Sequence, residues 1–441
     1  MNDRDCRRTC SVASSSRWRW PGRRRFRAAC WATLLAAPAC AFAQLAITTA
    51  ADTQYEYNTN VFDLQSGYQV PGVTNSRYGD SFVAYGGKLD ATYLWSQQQF
   101  HALVEGTEYH YDRFSELTHN EYTLDGAWKW KLGRTLDGLF EVSRIRSMVS
   151  LYNLIQAQLA LQTEQRETGK IGFQFVPDWR AEGSGYYREV QEPLLGAPNL
   201  SLRESMGQGA FKYTGTAGVT AGLSAGYLHG NFSGNVFDGI TTAIAPAYHQ
   251  TNVDLTATDI VTGLSTFTGQ IGYSRRTSAA SVVGGINSIS GATGELDYKR
   301  ALTAKTTAEL DLSRQIYSYI TNTGSAIASI GTLTLNWQAT YKIGVAASYV
   351  FTYEQLPGQG DTPTGVDNGT QREDTFNYVS LGLDYEALPW LSLKPYVHYQ
   401  DRTAKNFYGG NFDSTVVGVQ FTLQWQHGVI PPPTPFQILS P

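Results

Sequence analysis

The feature that most restricts this chain is a two-residue alternation sustained over long segments. Across residues 121–132, Tyr122, Leu124, Gly126, Trp128, Trp130 and Leu132 fall on one phase, and Glu121, Thr123, Asp125, Ala127, Lys129 and Lys131 on the other. A strand sends successive side chains to opposite faces, whereas a helix would scatter both sets around its circumference. The same dyad returns in Val83, Tyr85, Gly87, Leu89, Ala91, Tyr93 and Trp95 against Lys88, Asp90 and Thr92. It recurs in Leu391, Leu393, Pro395, Val397 and Tyr399 against Ser392, Lys394, Tyr396 and His398. A fourth copy sets Val417, Val419, Phe421, Leu423 and Trp425 against Gly418, Gln420, Thr422 and Gln424.

Such runs cover roughly 10 to 15 residues, against about five or six for strands of soluble sheets. A strand of about 9 to 11 residues crosses a bilayer obliquely, and the surplus would project beyond it. After residue 43 no segment approaches the roughly 18 consecutive apolar residues of a spanning helix. The whole chain holds 27 Tyr and 10 Trp, amphipathic rings that suit the boundary between hydrocarbon and water. These observations point to a membrane crossed by strands.

The connections alternate in length. Short ones fall near residues 96–99, 132–134, 177–178, 214–216, 258–262, 301–303, 341–343 and 387–389, with longer, polar or Gly-rich ones between them. Eight short turns and nine long loops join about eighteen strands, an even number with both ends on the side of the short turns. Because hydrocarbon satisfies no unpaired backbone group, a membrane sheet must close on itself. The expected fold is thus all-β: one transmembrane antiparallel up-and-down β-barrel over residues 44–426, of about 18 strands, 16 or 20 if a hairpin is merged or split. Residues 153–165 are the least strand-like part and read as a short helix in an external loop or a loop folded into the lumen. The last alternating segment resembles the C-terminal signal of outer-membrane barrels. Residues 427–441, with Pro431, Pro432, Pro433 and Pro435, cannot extend a sheet and read as a Pro-rich periplasmic tail.

Residues 1–43 read as a signal peptide. Arg17, Arg19, Arg23, Arg24, Arg25 and Arg27 precede an apolar stretch from Ala28 to Ala37, and Ala41-Phe42-Ala43 supplies small residues for cleavage before Gln44. Lipid attachment at Cys40 is disfavoured by Pro38 and by that cleavage pattern, and Arg23-Arg24-Arg25 reads as an ordinary basic region rather than a twin-arginine signal. All four cysteines, Cys6, Cys10, Cys30 and Cys40, belong to this leader, so the exported part folds without disulfides. The leader holds nine Arg and two acidic residues, which leaves 25 basic against 36 acidic side chains, near −11. That balance argues against nucleic acid, whose phosphates demand clustered Lys and Arg.

No zinc-protease, nucleophile-elbow, phosphate-loop or calcium-loop pattern appears, and His101, His110 and His119 lie nine residues apart, a poor spacing for metal ligands. Neither a metal, a cofactor nor a catalytic residue is expected. The polar phase is more informative. If the aromatic phase meets lipid, then Lys88, Asp90, Glu121, Asp125, Lys129, Lys131, Glu141, Glu295, Asp297, Lys299, Lys305, Glu309, Asp311 and Lys394 line the lumen. Interleaved acid and base there brace neighbouring strands and also make a hydrated path for a polar solute, since an eighteen-stranded barrel leaves an aqueous channel. Tyr68, Tyr152, Tyr396 and Tyr408 are candidates to stack on sugar rings, with girdle or loop packing as the competing role.

Two segments carry a resemblance. One is Tyr55-Glu56-Tyr57-Asn58-Thr59-Asn60-Val61-Phe62. The other begins Leu124-Asp125-Gly126-Ala127-Trp128-Lys129-Trp130-Lys131-Leu132-Gly133-Arg134 and continues through Leu136-Asp137-Gly138-Leu139-Phe140-Glu141-Val142-Ser143-Arg144 to Ser147. Within about residues 52–150 the chain resembles the EpsL-type outer-membrane barrels encoded with exopolysaccharide biosynthesis and exosortase systems. The resemblance implies passage of extracellular polysaccharide across the outer membrane of a Gram-negative bacterium, after Sec-type export, and assigns no catalytic residue. Outer-membrane lipid, polysaccharide or a small polar solute, and periplasmic export machinery are the partners expected. A general or solute-selective diffusion porin is the alternative, ahead of a structural or adhesive barrel and a lipid-modifying enzyme.

Overall fold

The computed structural model describes residues 45–67, 78–149, 159–192, 201–215, 219–233, 235–238, 241–244, 247–262, 264–278, 288–319, 324–357, 370–407 and 410–428. The leader, residues 429–441 of the proline-rich tail, and Tyr68, Tyr152 and Tyr408 lie outside the described residues. The first strands are β1 (Leu45–Asn58), β2 (Asp80–Trp95), β3 (Gln98–Tyr111), β4 (His119–Leu132), β5 (Leu136–Met148), β6 (Leu161–Val176) and β7 (Trp179–Gln191). Next come β8 (Ser201–Thr214), β9 (Thr220–Ser233), β10 (Asn235–Asp238), β11 (Thr241–Ile244), β12 (Tyr248–Thr262), β13 (Ser265–Ser278) and β14 (Ser288–Thr303). The last are β15 (Thr306–Tyr319), β16 (Gly324–Gln338), β17 (Ile343–Leu356), β18 (Arg372–Leu388), β19 (Leu391–Lys405) and β20 (Phe412–His427).

Apart from the β10–β11 hairpin, which sits in the β9–β12 connection, these strands form one 18-stranded sheet with antiparallel neighbours throughout. β1 pairs with β2 on one side and with β20 on the other, in register from Ile47 opposite His427 to Asn58 opposite Val416. That last ladder closes the barrel, so no strand of the 18-stranded sheet is left as an edge. Some boundaries differ from those read in the sequence. β12 runs on through Thr262 and β14 through Thr303, because Thr and polar residues near a membrane surface continue a ladder as readily as they leave it. Residues 161–165, expected in a helix or loop, open β6. There Gln162 and Glu164 face inward while Thr163 and Gln165 face outward above the apolar zone, so both faces are polar and the alternation is invisible. β20 likewise takes in His427, placed in the tail by sequence.

Outward residues of the middle of the strands are apolar and exposed, among them Leu223, Leu255, Ile271, Leu312, Leu333 and Leu381. A continuous belt of this kind is far beyond the patches water-soluble proteins expose, and hydrocarbon is its physical counterpart. Its two borders differ. All seven tryptophans after the leader, Trp95, Trp128, Trp130, Trp179, Trp337, Trp390 and Trp425, lie toward the short-turn end. Exposed Tyr55, Tyr57, Tyr85, Tyr187, Tyr227, Tyr273, Tyr349 and Tyr399 mark the long-loop border. Amphipathic rings concentrate at such interfaces.

The interior is uneven too. At the loop end, Val61, Phe62, Leu64, Tyr78, Phe114, Leu117 and Ala160 build a small apolar core from three connections, with Phe62 and Leu117 fully buried. Asn60 ties the first of these together: its Nδ2 donates to the Leu64 and Asp413 carbonyls at 2.8 and 3.0 Å, and its Oδ1 accepts from the Leu64 N–H. Asp80 binds the second by accepting the Arg113 and Phe114 N–H groups, both at 2.9 Å. Thus Asn60-Val61-Phe62 of the first resembling segment is a loop anchor.

Candidate functional site

Directly paired residues share a face of the sheet, so the register assigns each side chain to lipid or lumen. Lys88 lies opposite Ala50 and Glu105, and Asp90 opposite Thr48 and Leu103, on the inner face. Glu121 and Asp125 follow on β4; Lys129 faces Leu139, Lys131 faces Asp137, and Glu141 faces Ala127. On β14 and β15, Glu295 pairs with Ser313, Asp297 with Asp311, and Lys299 with Glu309, the last at 3.5 Å between Nζ and Oε2. Lys394 on β19 reaches Asp384 of β18 at 3.2 Å. Lys305 differs: it occupies the turn between β14 and β15, where its Nζ donates to the Ala339 carbonyl of the next turn. A turn lysine sits at the rim of the lumen, where Lys305 borders the recess along β16 to β20.

These residues are not one cluster. Asp90 and Asp125 are joined through His101, whose Nε2 and Nδ1 each stand 3.3 Å from a carboxylate oxygen. Nine-residue spacing gave no hint of this, because the partners come from β2 and β4 across β3. Asp297, Glu309 and Asp311 form a second group, with one oxygen of each within 4.8 Å of the others, beside Lys299.

A larger charged ladder was missed in the sequence. Arg180 on β7 donates to Asp137 at 2.5 Å and to Glu182 at 2.7 Å, and Lys212 on β8 shares Glu182 at 2.7 Å. Arg188 bridges Glu164 at 2.8 Å and Glu204 at 3.1 Å. Glu204 also accepts from Tyr248, whose ring lies under the Arg276 guanidinium at 4.4 Å. Arg276 donates to Ser318 and Ser325 at 2.7 and 3.0 Å. The β14–β15 ladder stops at Gly294 opposite Arg314, while β15 and β16 stay paired to Tyr319 opposite Gly324. The free end of that hairpin therefore turns inward onto Arg276. The sequence signal was weak because the middle of the outward phase of β7 and β8 is Ala181, Gly183, Gly185, Gly207 and Gly209, with aromatic rings only toward its ends.

The lumen contains cavities between its inward side chains, one of about 590 Å³ beside Arg188, Glu204 and Arg276 and two nearer the turn end. One of about 520 Å³ is lined by Arg166, Lys170 and Lys212 from β6 and β8 and by Glu295 and Asp297 from β14. Another, about 640 Å³, lies along β16 to β20 and includes Asn336, Asp384, Lys394, Tyr396 and Gln420. Both carry acid and base together, which suits water and polar solute, not lipid.

Fold and interior together define a membrane-spanning, 18-stranded β-barrel with a hydrated, charged lumen. No family model matches the sequence, and no curated protein does. Solved structures similar to it are outer-membrane barrels. The outer membrane protein opdK from Pseudomonas aeruginosa is 14% identical over 86% of this chain and 99% of that one, with TM-score 0.45. A mutant of the ferric enterobactin receptor PfeA from Pseudomonas aeruginosa is 8% identical over 86% and 80%, TM-score 0.43. The alcaligin receptor FauA from Bordetella pertussis is 11% identical over 87% and 76%, TM-score 0.42.

Proposed function

We propose that this protein is an outer-membrane channel that carries a polar polymer, exopolysaccharide, through its charged lumen. The observation that carries the reading is the inner wall itself: acidic, basic and tyrosine side chains alternate with the lipid-facing phase around the closed ring, enclosing polar cavities of about 520 and 640 Å³. The resemblance of residues 52–150 to EpsL-type barrels supplies the cargo. Its first segment holds the loop anchor Asn60, and its second supplies the inward residues Asp125, Lys129, Lys131 and Glu141. Nothing in this reading requires a catalytic residue, and export from the periplasm would place the long loops outside.

A second reading, a solute-selective diffusion porin, is favoured by the opposed charges of the 520 Å³ cavity, which orient small dipolar or charged solutes. Deletion of the gene tests the first. Loss of secreted polysaccharide with its precursor retained in the periplasm is expected; normal secretion would exclude export and leave the porin. Genes for glycosyltransferases and a polysaccharide co-polymerase beside this one would favour export.

A further inference from the structure

Most inward side chains of the barrel stand up from the wall and pair with a neighbour. Tyr396 lies along the wall instead. Its ring lies across β20 to reach β1, where its hydroxyl donates to Glu56 and accepts from Gln54 Nε2 at 2.5 Å. The residue beneath is Gly418, opposite Tyr396 in register, and a Cβ there would collide with the ring's Cζ and Oη. Glycine at 418 lets the ring lie flat, one face on the backbone and the other toward the lumen.

His398, two residues on and on the same face, continues this surface. Its ring is 6.0 Å from that of Tyr396 and inclined by only 5°, nearly parallel to it. Tyr378 of β18 adds a third ring, 5.3 Å from His398 and tilted by 35°. The 640 Å³ recess opens beside this tile, within the range of small-ligand sites. Small residues Gly344, Ala346 and Gly382 border it. Asp384 lines it with a half-exposed side chain, one carboxylate oxygen held by Lys394 at 3.2 Å. A carboxylate open to the recess can accept a hydroxyl from a solute beside the Lys394 ammonium.

We infer that the Tyr396–His398 tile and the recess beside it form a carbohydrate subsite, in which the apolar face of a pyranose ring stacks on Tyr396 while a ring hydroxyl donates to Asp384. A flat aromatic face, an accessible carboxylate and the amides of Asn336 and Gln420 are the complement of a sugar, which has an apolar ring face and a rim of hydroxyls. The inference rests on the reading of the barrel as a polysaccharide channel and names where the chain is gripped.

Isothermal titration calorimetry of the full protein in detergent, with maltohexaose and with cellohexaose, tests it. Wild type should bind at least one. Tyr396→Ala should weaken binding by about tenfold or more, the scale of one lost aromatic contact. Gly418→Ala, which lifts the ring without removing it, should weaken binding comparably, while Tyr396→Phe keeps the stacking face and should stay within about threefold. Circular dichroism and the melting transition of each variant separate a lost subsite from a lost fold. Failure of wild type to bind either sugar, or equal binding by folded Tyr396→Ala, overturns the subsite. Conductance in planar bilayers reads the channel separately: a barrel that conducts KCl but binds neither sugar loses the subsite alone. One that binds sugar but conducts nothing loses the channel.

Discussion

The two ends of this barrel solve opposite problems with the same strands. Toward the loops, buried charge and apolar side chains pack much of the interior around a cavity of about 590 Å³ beside Arg188 and Glu204: Arg372, Asp374 and Arg402 are all but inaccessible, and Phe62 and Leu117 anchor folded connections. Toward the turns, Lys394, Asp384, Lys299 and Glu309 pair while still exposed to the lumen. A buried ion pair is tightly coupled to the structure around it, whereas a hydrated one contributes little. The more densely packed end thus holds the shape, and the more open end leaves charges hydrated.

Removing Asp374 should have the largest effect. It receives Arg402 Nη2 at 2.6 Å and Arg372 Nη2 at 2.7 Å, and the Arg372 guanidinium lies 3.6 Å above the Phe407 ring. Asp374→Ala would leave two guanidinium groups buried without their shared acid, at a cost of about 3–5 kcal/mol. Urea unfolding of the refolded barrel in lipid vesicles measures this. A change under about 1 kcal/mol would erase the contrast between the two ends.

Phe62→Ala probes the apolar part of the same end. The ring meets Phe114 edge-on at 4.7 Å and Tyr78 at 6.2 Å. Its truncation should cost about 3–4 kcal/mol locally. Faster hydrogen exchange at residues 59–67 and 112–118, with β16 to β19 unaffected, is the expected pattern. Uniformly faster exchange would mean that the loop core supports the whole barrel.

Glu192, just beyond β7 at the loop end, makes that end sensitive to pH. Its Oε1 has no partner among the described residues, and burial pushes the carboxyl up from 4.5 to about 7. Between those values the folded protein holds a proton that the unfolded chain has released. Stability is therefore greatest below about pH 4.5 as far as this group is concerned, and it falls as pH rises to about 7. The full loss is about 3 kcal/mol. Glu192→Gln should flatten the pH dependence of local opening at the β7 and β8 ends, read by hydrogen exchange corrected for intrinsic rates. A slope unchanged in the variant would assign the effect to another group.

The smallest effect is expected at the turn end. Lys394→Ala removes a pair exposed on both sides and should cost no more than about 1 kcal/mol. Single-channel recordings should register it more clearly than unfolding does, as a shift of ion selectivity toward cations, because the variant removes a positive charge from the lumen wall.

Legibility in the sequence followed the same division. Where an outward aromatic alternates with an inward charge, as along Leu124 to Leu132, strand and face could be read directly. Where the outward phase is glycine, as in Gly183, Gly185, Gly207 and Gly209, the inward Arg180, Glu182, Arg188 and Lys212 escaped notice. Residues 161–165 were misread because both environments there are polar. His101 was dismissed on spacing that has no meaning across three strands.

By itself the sequence determined the architecture: alternation of period two, long strands, two classes of connection and no run long enough for a spanning helix leave a closed barrel as the only way to satisfy the backbone in hydrocarbon. It also sorted most charges to the lumen, because a strand's two faces are set by position parity alone. Which charges meet was decided only by the tertiary structure. Asp374 between two arginines, His101 between two aspartates and Tyr396 flat over Gly418 each depend on neighbours brought together by register and ring closure. Parity fixes a face, but a partner on that face is chosen by how strands far apart in the chain are staggered.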